Sequence, residues 1–539
     1  MSDVELAQAF EASVAPPPRA RKAKAPKVNL YPLQLPLFLV GLAFGFAALV
    51  LQDWVVAVCI TTLFTLVGLI WRADMLPILP ACISFQWLSA TAGYVYQLNT
   101  GRFPGGGYPT SLPMTLMLAM LGLTAMVVGL RIVLTVFKTT VFEKTLATSA
   151  AYDLRKVFML TIVLFAVYYV EDILPKDIWF GGAQIIENIL SLRFVPYFIL
   201  LVAAFERGKG YGYVWGATAW VLLPGLLTGF SDFKELLLVV IVAALAQWRP
   251  WVRSRRQARE NRRILVFGAI GILVIGMFGI VWSGGVKREW RDEIWQETVT
   301  ASPLERMELF FDVVGRVLPK LDLATAGESM AGRMSSGTLY FSYVVDRVPR
   351  VVPHENGKLF SLAIANATQP RFLFPNKGNL GGDSWLVRKY AGVNAAGDEE
   401  GASIGLGYMA EFFIDFGVLG VLVLGIFWGA CGGGAIILLA KASPSREIFL
   451  ALMIGLFTGY FMGFDGNFIK IFSGMLQRTL VAGAVIAIAG PHLQKMMLIR
   501  RPTHRPSPTD GGLHYAWPGA AQSMSPPMIA PGPMGRDEA

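Results

Sequence analysis

The chain has 539 residues, of which 54% are hydrophobic and only 16% charged, and its net charge is +10. Soluble proteins carry about 25% charged residues, and a mean hydropathy of +0.52 leaves too little polar surface for a water-soluble globule. Apolar runs of about 18 residues or more, long enough to cross a hydrocarbon layer of about 30 Å, recur along the chain. These runs do not alternate apolar with polar residues, which excludes a transmembrane barrel. The sequence therefore predicts an all-α polytopic membrane protein, with about twelve transmembrane helices and one large, partly helical outer loop.

In chain order, residues 1–30 are polar, Pro-rich and basic, as expected of a disordered cytoplasmic tail. No apolar core precedes Tyr31, so the first helix is expected to act as an uncleaved anchor. Residues 31–282 hold apolar spans at Leu33–Leu51, Trp54–Trp71, Met75–Tyr96, Leu112–Phe137, Val157–Val170, Ile189–Phe205, Tyr213–Phe230, Glu235–Trp248 and Ile264–Trp282. Residues 283–402 mix apolar and polar positions at helical spacing, most clearly in Glu305–Val314, and read as a large periplasmic loop. Residues 403–490 carry the last spans, Phe416–Ala440, Ile448–Phe464 and Phe468–Gly490. Residues 491–539 are Pro- and Gly-rich and read as a second disordered cytoplasmic tail.

Loop charge sets the orientation. Arg72, Lys138, Lys144, Arg155, Lys156, Arg207, Lys209 and the seven arginines between Arg249 and Arg263 fall on one side, with Lys441 and Arg446. The opposite short loops carry only Arg102, Lys176, Arg193 and Lys234. This asymmetry places both termini in the cytoplasm. It also makes the excess positive charge a topology signal, with no nucleic-acid partner implied. Cys59, Cys82 and Cys431 lie in apolar runs without CxxC or CxxH spacing, which argues against disulfides and a zinc site.

Chemistry is expected in and beside the outer segment. Val348–His354 and Gln369–Lys377 each hold a cation between prolines, which restrict the backbone. A rigid arginine at a membrane surface suits a phosphate or diphosphate headgroup. The candidates are Arg371 and Lys377, with Arg350 and Arg333. Tyr408, Glu411 and Asp415 form one stripe at helical spacing as the chain enters an apolar span. Acids at such depth face a cavity or a partner; structural pairing with outer-loop arginines is the alternative. Asp232, Lys234 and Arg478 are further polar groups in or near spans that could line a pocket. The outer acids are isolated and lack a third ligand, and His354, His492, His504 and His514 show no metal spacing, so no metal and no cofactor are expected. Walker, HExxH and GxSxG motifs are absent.

The Pro370-Arg371-x-x-x-Pro375-x-Lys377 run, followed by Ser403-x-Gly405 and Glu411-x-x-x-Asp415-x-Gly417-x-x-Gly420, resembles the Wzy-type oligosaccharide repeat-unit polymerases of bacterial envelopes, which make O-antigen and exopolysaccharide. The resemblance covers roughly Leu33 to Gly490. It departs from the pattern by lacking a second large outer loop among the early spans. It implies a glycosyltransferase of the inner membrane with an outward-facing, metal-free site. The donor would be a glycan on polyprenyl diphosphate and the acceptor another lipid-linked repeat unit, with a chain-length regulator as a possible partner. Arg371 and Lys377 would hold the diphosphate, supported by Arg350 and Arg333. Glu411 or His354 would serve as base, beside Asp415. An O-antigen ligase-like transferase shares this donor, and a lipid-linked oligosaccharide flippase is the rival outside enzymes. Against the flippase, there is no repeated half and the long outer segment is placed asymmetrically.

Overall fold

The computed structural model describes residues 32–51, 53–72, 77–107, 109–137, 152–173, 182–228, 233–245, 303–369, 374, 383–397 and 403–499, with scattered positions between 258 and 289. The basic tail at 1–30 and most of the one at 491–539 lie outside them. The chain divides into two units, Met1–Leu498 and Ile499–Ala539. Of the second, only Ile499 is described, and it is half exposed.

Helices make up the described chain, and no strand occurs among the described residues. They are α1 Gln34–Val50, α2 Trp54–Ile70, α3 Ile78–Thr100, α4 Leu112–Val136 and α5 Leu154–Ile173. Next come α6 Ala183–Leu190, which runs through a tight turn into α7 Phe194–Arg207, then α8 Tyr211–Thr228 and α9 Phe233–Leu245. The segment expected to form the outer loop contributes α10 Pro303–Val317, α11 Leu323–Arg347 and α12 Lys358–Thr368. The chain closes with α13 Tyr408–Ala442, α14 Arg446–Tyr460 and α15 Phe468–Met497.

Among the described residues, four helical stretches are long and apolar enough to cross a bilayer: Leu112–Val136, Ile185–Arg207, Tyr408–Ala442 and Phe468–Met497. Two shorter apolar helices, Gln34–Val50 and Trp54–Ile70, pair with each other. The protein is thus a helical membrane protein. Two spans depart furthest from their expected bounds. α13 begins eight residues before Phe416, at Tyr408. α15 passes Gly490 and Pro491 and stops at Met497. Its far end is held down, because Asp153 N donates to Met497 O (2.8 Å) and Lys156 Nζ to Leu498 O (3.0 Å). Those bonds offset the one that a proline removes from a helix interior.

The broadest helix pairing joins α4 to α13. Its seam is built of small residues: Gly122, Ala125 and Gly129 on α4 face Gly425, Gly429 and Gly433 on α13. A side chain at Gly429 would land on the Met126 carbonyl, and one at Gly129 on the Ile426 carbonyl. Bare backbone lets the two helices approach closely, which is how apolar helices associate where water drives nothing. α11 lies along α3, with Thr338 Oγ1 donating to Ala90 O (3.1 Å). Both of its ends are tied to the turn after α3. Arg102 pairs with Glu328 at 2.7 Å, and the Thr110 and Ser111 hydroxyls donate to Asp346. Part of the predicted loop is therefore a packed member of the bundle.

Candidate active site

The site forms where α13 breaks. Phe416 (φ −140°, ψ 18°) and Gly417 (φ 62°, ψ −142°) leave helical geometry inside the span. Gly417 has a left-handed φ, which glycine adopts without a Cβ penalty. The break frees the carbonyls of the preceding turn, and buried carbonyls need donors. The turn between α11 and α12 supplies them: Glu355 N donates to Ile414 O (3.0 Å) and Asn356 N to Asp415 O (3.1 Å).

His354 belongs to the same junction. Its Nδ1 lies 3.1 Å from Ile414 O. A carbonyl can only accept, so Nδ1 is the donor, and the neutral ring in this tautomer carries its lone pair on Nε2. The ring packs edge-on to Phe413 (centroids 6.0 Å apart), and its Cε1 would lie 3.3 Å from a Cβ at Gly417. Orientation of the imidazole thus depends on the helix break itself.

Among the described residues, neither Glu411 nor Asp415 pairs with an arginine. Each closes the N-terminus of another helix, where unsatisfied N–H groups and the positive end of the dipole favour an acid. Glu411 Oε1 accepts from Phe468 N (2.8 Å), the first residue of α15. Its other oxygen is buried with no hydrogen-bond partner among the described residues. Asp415 accepts from Leu359 N (3.1 Å) and Phe360 N (2.8 Å) at the start of α12. The residue at that N-cap is Gly357, which has no side chain to do the job. Asn467 precedes α15 without capping it, because its Oδ1 accepts from Leu406 N (3.0 Å). Both acids therefore position helices, at 1% exposure each. The third member of the stripe, Tyr408, donates to Gln86 Oε1 (2.6 Å), whose Nε2 donates to Phe461 O (2.5 Å). This is a buried polar chain in the core.

Charged groups gather around the turn that carries His354. Glu355 accepts from Lys389 Nζ and Tyr390 Oη, both at 2.6 Å, and Lys358 stands 3.9 Å away. The Lys389 hydrogen bond, then that of Tyr390, holds the Glu355 carboxyl below its ordinary range. Burial, then the bond to Glu355, pushes the Tyr390 phenol up. Arg347 ends α11, and its guanidinium lies against Gly392, where a Cβ would come 2.7 Å from Cζ. Its Nε is buried and has no acceptor among the described residues. Sequence reasoning did not single out Arg347. The available signal was its place just before the Val348–His354 run.

The remaining candidates are spread. Arg350 is exposed in the turn after α11, and Arg333 is exposed on α11 itself. The 14 residues from Arg333 to the end of α11 span about 20 Å, so those two cations do not converge. Arg478 sits ten residues into α15, over the Tyr460 ring. Lys234 lies in the first turn of α9, but its side chain is outside the described residues, as are Asp232, Arg371 and Lys377 altogether. No three His, Cys, Asp or Glu side chains gather around a possible metal position among the described residues. Comparison with protein-family models, with curated proteins and with solved structures finds no match to this chain.

Proposed function

We propose that the protein is a glycosyltransferase of the bacterial inner membrane that polymerises polyprenyl-diphosphate-linked oligosaccharide repeat units on the periplasmic side, with both termini cytoplasmic and about twelve spans. The observation that carries this reading is His354: Nδ1 is tied to Ile414 O beside the helix break, and Nε2 is left as a proton acceptor. The acceptor sugar hydroxyl gives its proton to Nε2 as its oxygen attacks the anomeric carbon. The anomeric C–O bond to the diphosphate breaks, and the lipid diphosphate leaves with that electron pair. Charge developing on the diphosphate needs fixed cations. Arg350 and Arg347, four and seven residues before His354, supply two of them, and Arg371 and Lys377 join them in this reading. Glu411 and Asp415 act by positioning, since their oxygens serve helix N-termini.

The test is polymerisation of purified lipid-linked repeat units by reconstituted protein. His354→Ala should lower the rate by about 10²–10⁴-fold, the usual contribution of a positioned base. Added imidazole should restore part of it. A ladder of product lengths from wild type distinguishes polymerase from ligase. An unchanged rate in the folded variant would remove His354 from the chemistry.

A further inference from the structure

In the expected Ile264–Trp282 span, the described positions from Leu265 to Val281 are helical. Val266, Ile270, Leu273 and Met277, three or four residues apart, share one face of it and are 45–65% exposed. In a membrane protein, such a stripe of large apolar side chains is the side that meets lipid. Val281 is the next residue on that face. There the surroundings change: Val281 and Trp282 pack, with Leu309 and Val314, against the buried cluster of Val286, Val313 and Val317. α10 therefore covers the Trp282 end of the lipid-facing side of this span.

α10 carries more apolar surface than this contact covers. Leu309, Val313 and Val317 form one line along it. Phe311, Val314 and Leu318 form a second line beside the first, and Glu308, Asp312 and Arg316 form the polar flank. The apolar arc thus takes about half of the circumference. Val313 and Val317 are buried, but Phe311 is 60% exposed and Leu318, in the tight turn that continues the helix, 52%. Leu323, at the start of α11, is 62% exposed. On the polar flank, Arg316 Nε pairs with Asp312 at 3.0 Å.

We propose that α10 lies in the plane of the membrane surface, with its Phe311–Leu318 edge inserted at the boundary of headgroups and acyl chains and its Glu308–Arg316 flank in water. The stripe beneath it identifies the occupant: the face of the span that ends under α10 is the one turned to lipid, so the uncovered edge of α10 overhangs the same lipid. Trp282, beside the contact, is of the type enriched at that level. Between Pro303 and Lys320, the acids Glu305, Glu308 and Asp312 balance the bases Arg306, Arg316 and Lys320. Insertion is therefore driven by apolar area and is indifferent to the charge of the headgroups. The inference rests on the membrane class of the protein and stands apart from glycosyl transfer.

The experiment uses the full chain in nanodiscs of phosphatidylcholine with or without phosphatidylglycerol. Cys59, Cys82 and Cys431 are replaced by alanine, and a nitroxide is attached after Phe311→Cys, Leu318→Cys, Glu308→Cys or Asp312→Cys. Collisions with oxygen, which concentrates in lipid, are compared with collisions with a nickel chelate confined to water. The oxygen-to-nickel ratio should be several-fold higher at the Phe311 and Leu318 positions than at the Glu308 and Asp312 positions, in both lipid compositions. Equal ratios at the four positions would put the helix in water and overturn the proposal. Low collision with both reagents at Phe311 and Leu318 would mean that protein, such as a second copy of the chain, covers the edge, and would overturn it too. A contrast seen only with phosphatidylglycerol would overturn the apolar basis. Wild type needs no substitution for a second check: a diazirine-bearing lipid, photolysed in the nanodisc, should label the peptide that carries Phe311 and Leu318, and absence of label there counts against the proposal.

Discussion

Asp415 offers the sharpest test of how the site is held. Its two oxygens take the N–H groups of Leu359 and Phe360 at 3.1 and 2.8 Å, and the glycine at the α12 N-cap cannot replace them. Asp415→Ala leaves both donors without that partner. A helix cap is worth about 1 kcal/mol, and a buried unsatisfied donor costs about 1–3 kcal/mol. Leu359 is buried and Phe360 half-buried, so the first turn of α12 should lose about 2–3 kcal/mol. At about 1.4 kcal/mol per factor of ten, opening of that turn becomes about 30- to 140-fold more frequent. Asp415→Asn keeps one acceptor oxygen and turns an NH₂ toward the second donor, so it should lie between the two. Hydrogen exchange of the peptide covering Lys358–Thr368, in nanodiscs, reads this directly. Unchanged protection at Leu359 and Phe360 in Asp415→Ala would refute the capping role.

Other expectations follow from the packing and the charges. Gly429→Ala drives a methyl into the Met126 carbonyl and should cost about 1–3 kcal/mol by forcing α4 and α13 apart. Gly434→Ala, with nothing within 4 Å, should leave the unfolding midpoint where it is. Tyr408→Phe strands Gln86 Oε1 in the core and should lower thermal stability by about 1–3 kcal/mol. Because Lys389, then Tyr390, depresses the Glu355 acid, its contribution is complete above the unfolded value of about 4.3 and fades as pH falls through the lower folded value. The difference in unfolding midpoint between wild type and Glu355→Gln should therefore shrink below about pH 4, and a difference constant with pH would count against it.

The membrane class was legible because it rests on composition and run length, which need no tertiary information. Leu112–Phe137 and Phe468–Gly490 matched the starts of α4 and α15 for that reason. What escaped was partnership. Glu411 and Asp415 looked like site acids because a buried carboxylate in a span demands a partner, but nothing local says that the partner is the backbone of a helix about 55 residues away. The Gly357 N-cap hinted at a missing cap only once α12 was placed. α11 read as loop because its polar residues are frequent, yet Ser335, Thr338 and Ser342 are buried. Thr338 finds its acceptors in the carbonyls of α3 and Ser335 in those of its own helix. Gly417 was noted as part of a motif; its left-handed φ, and the two carbonyls it releases, belong to the folded chain alone.

Residues Tyr408–Asp415 are a single short stretch of helix to which two otherwise separate parts of the chain are fastened: the start of α15, and the turn in which His354 leads into α12. Neither can shift without loading the other. Damage at Glu411 and at Asp415 should therefore not sum, since the first loss already loosens what the second would release. Sequence drift in this stretch is constrained by two simultaneous fits, whereas the lipid-facing turns just past Gly417, with Leu419 and Val423 more than half exposed, answer only to the oil around them.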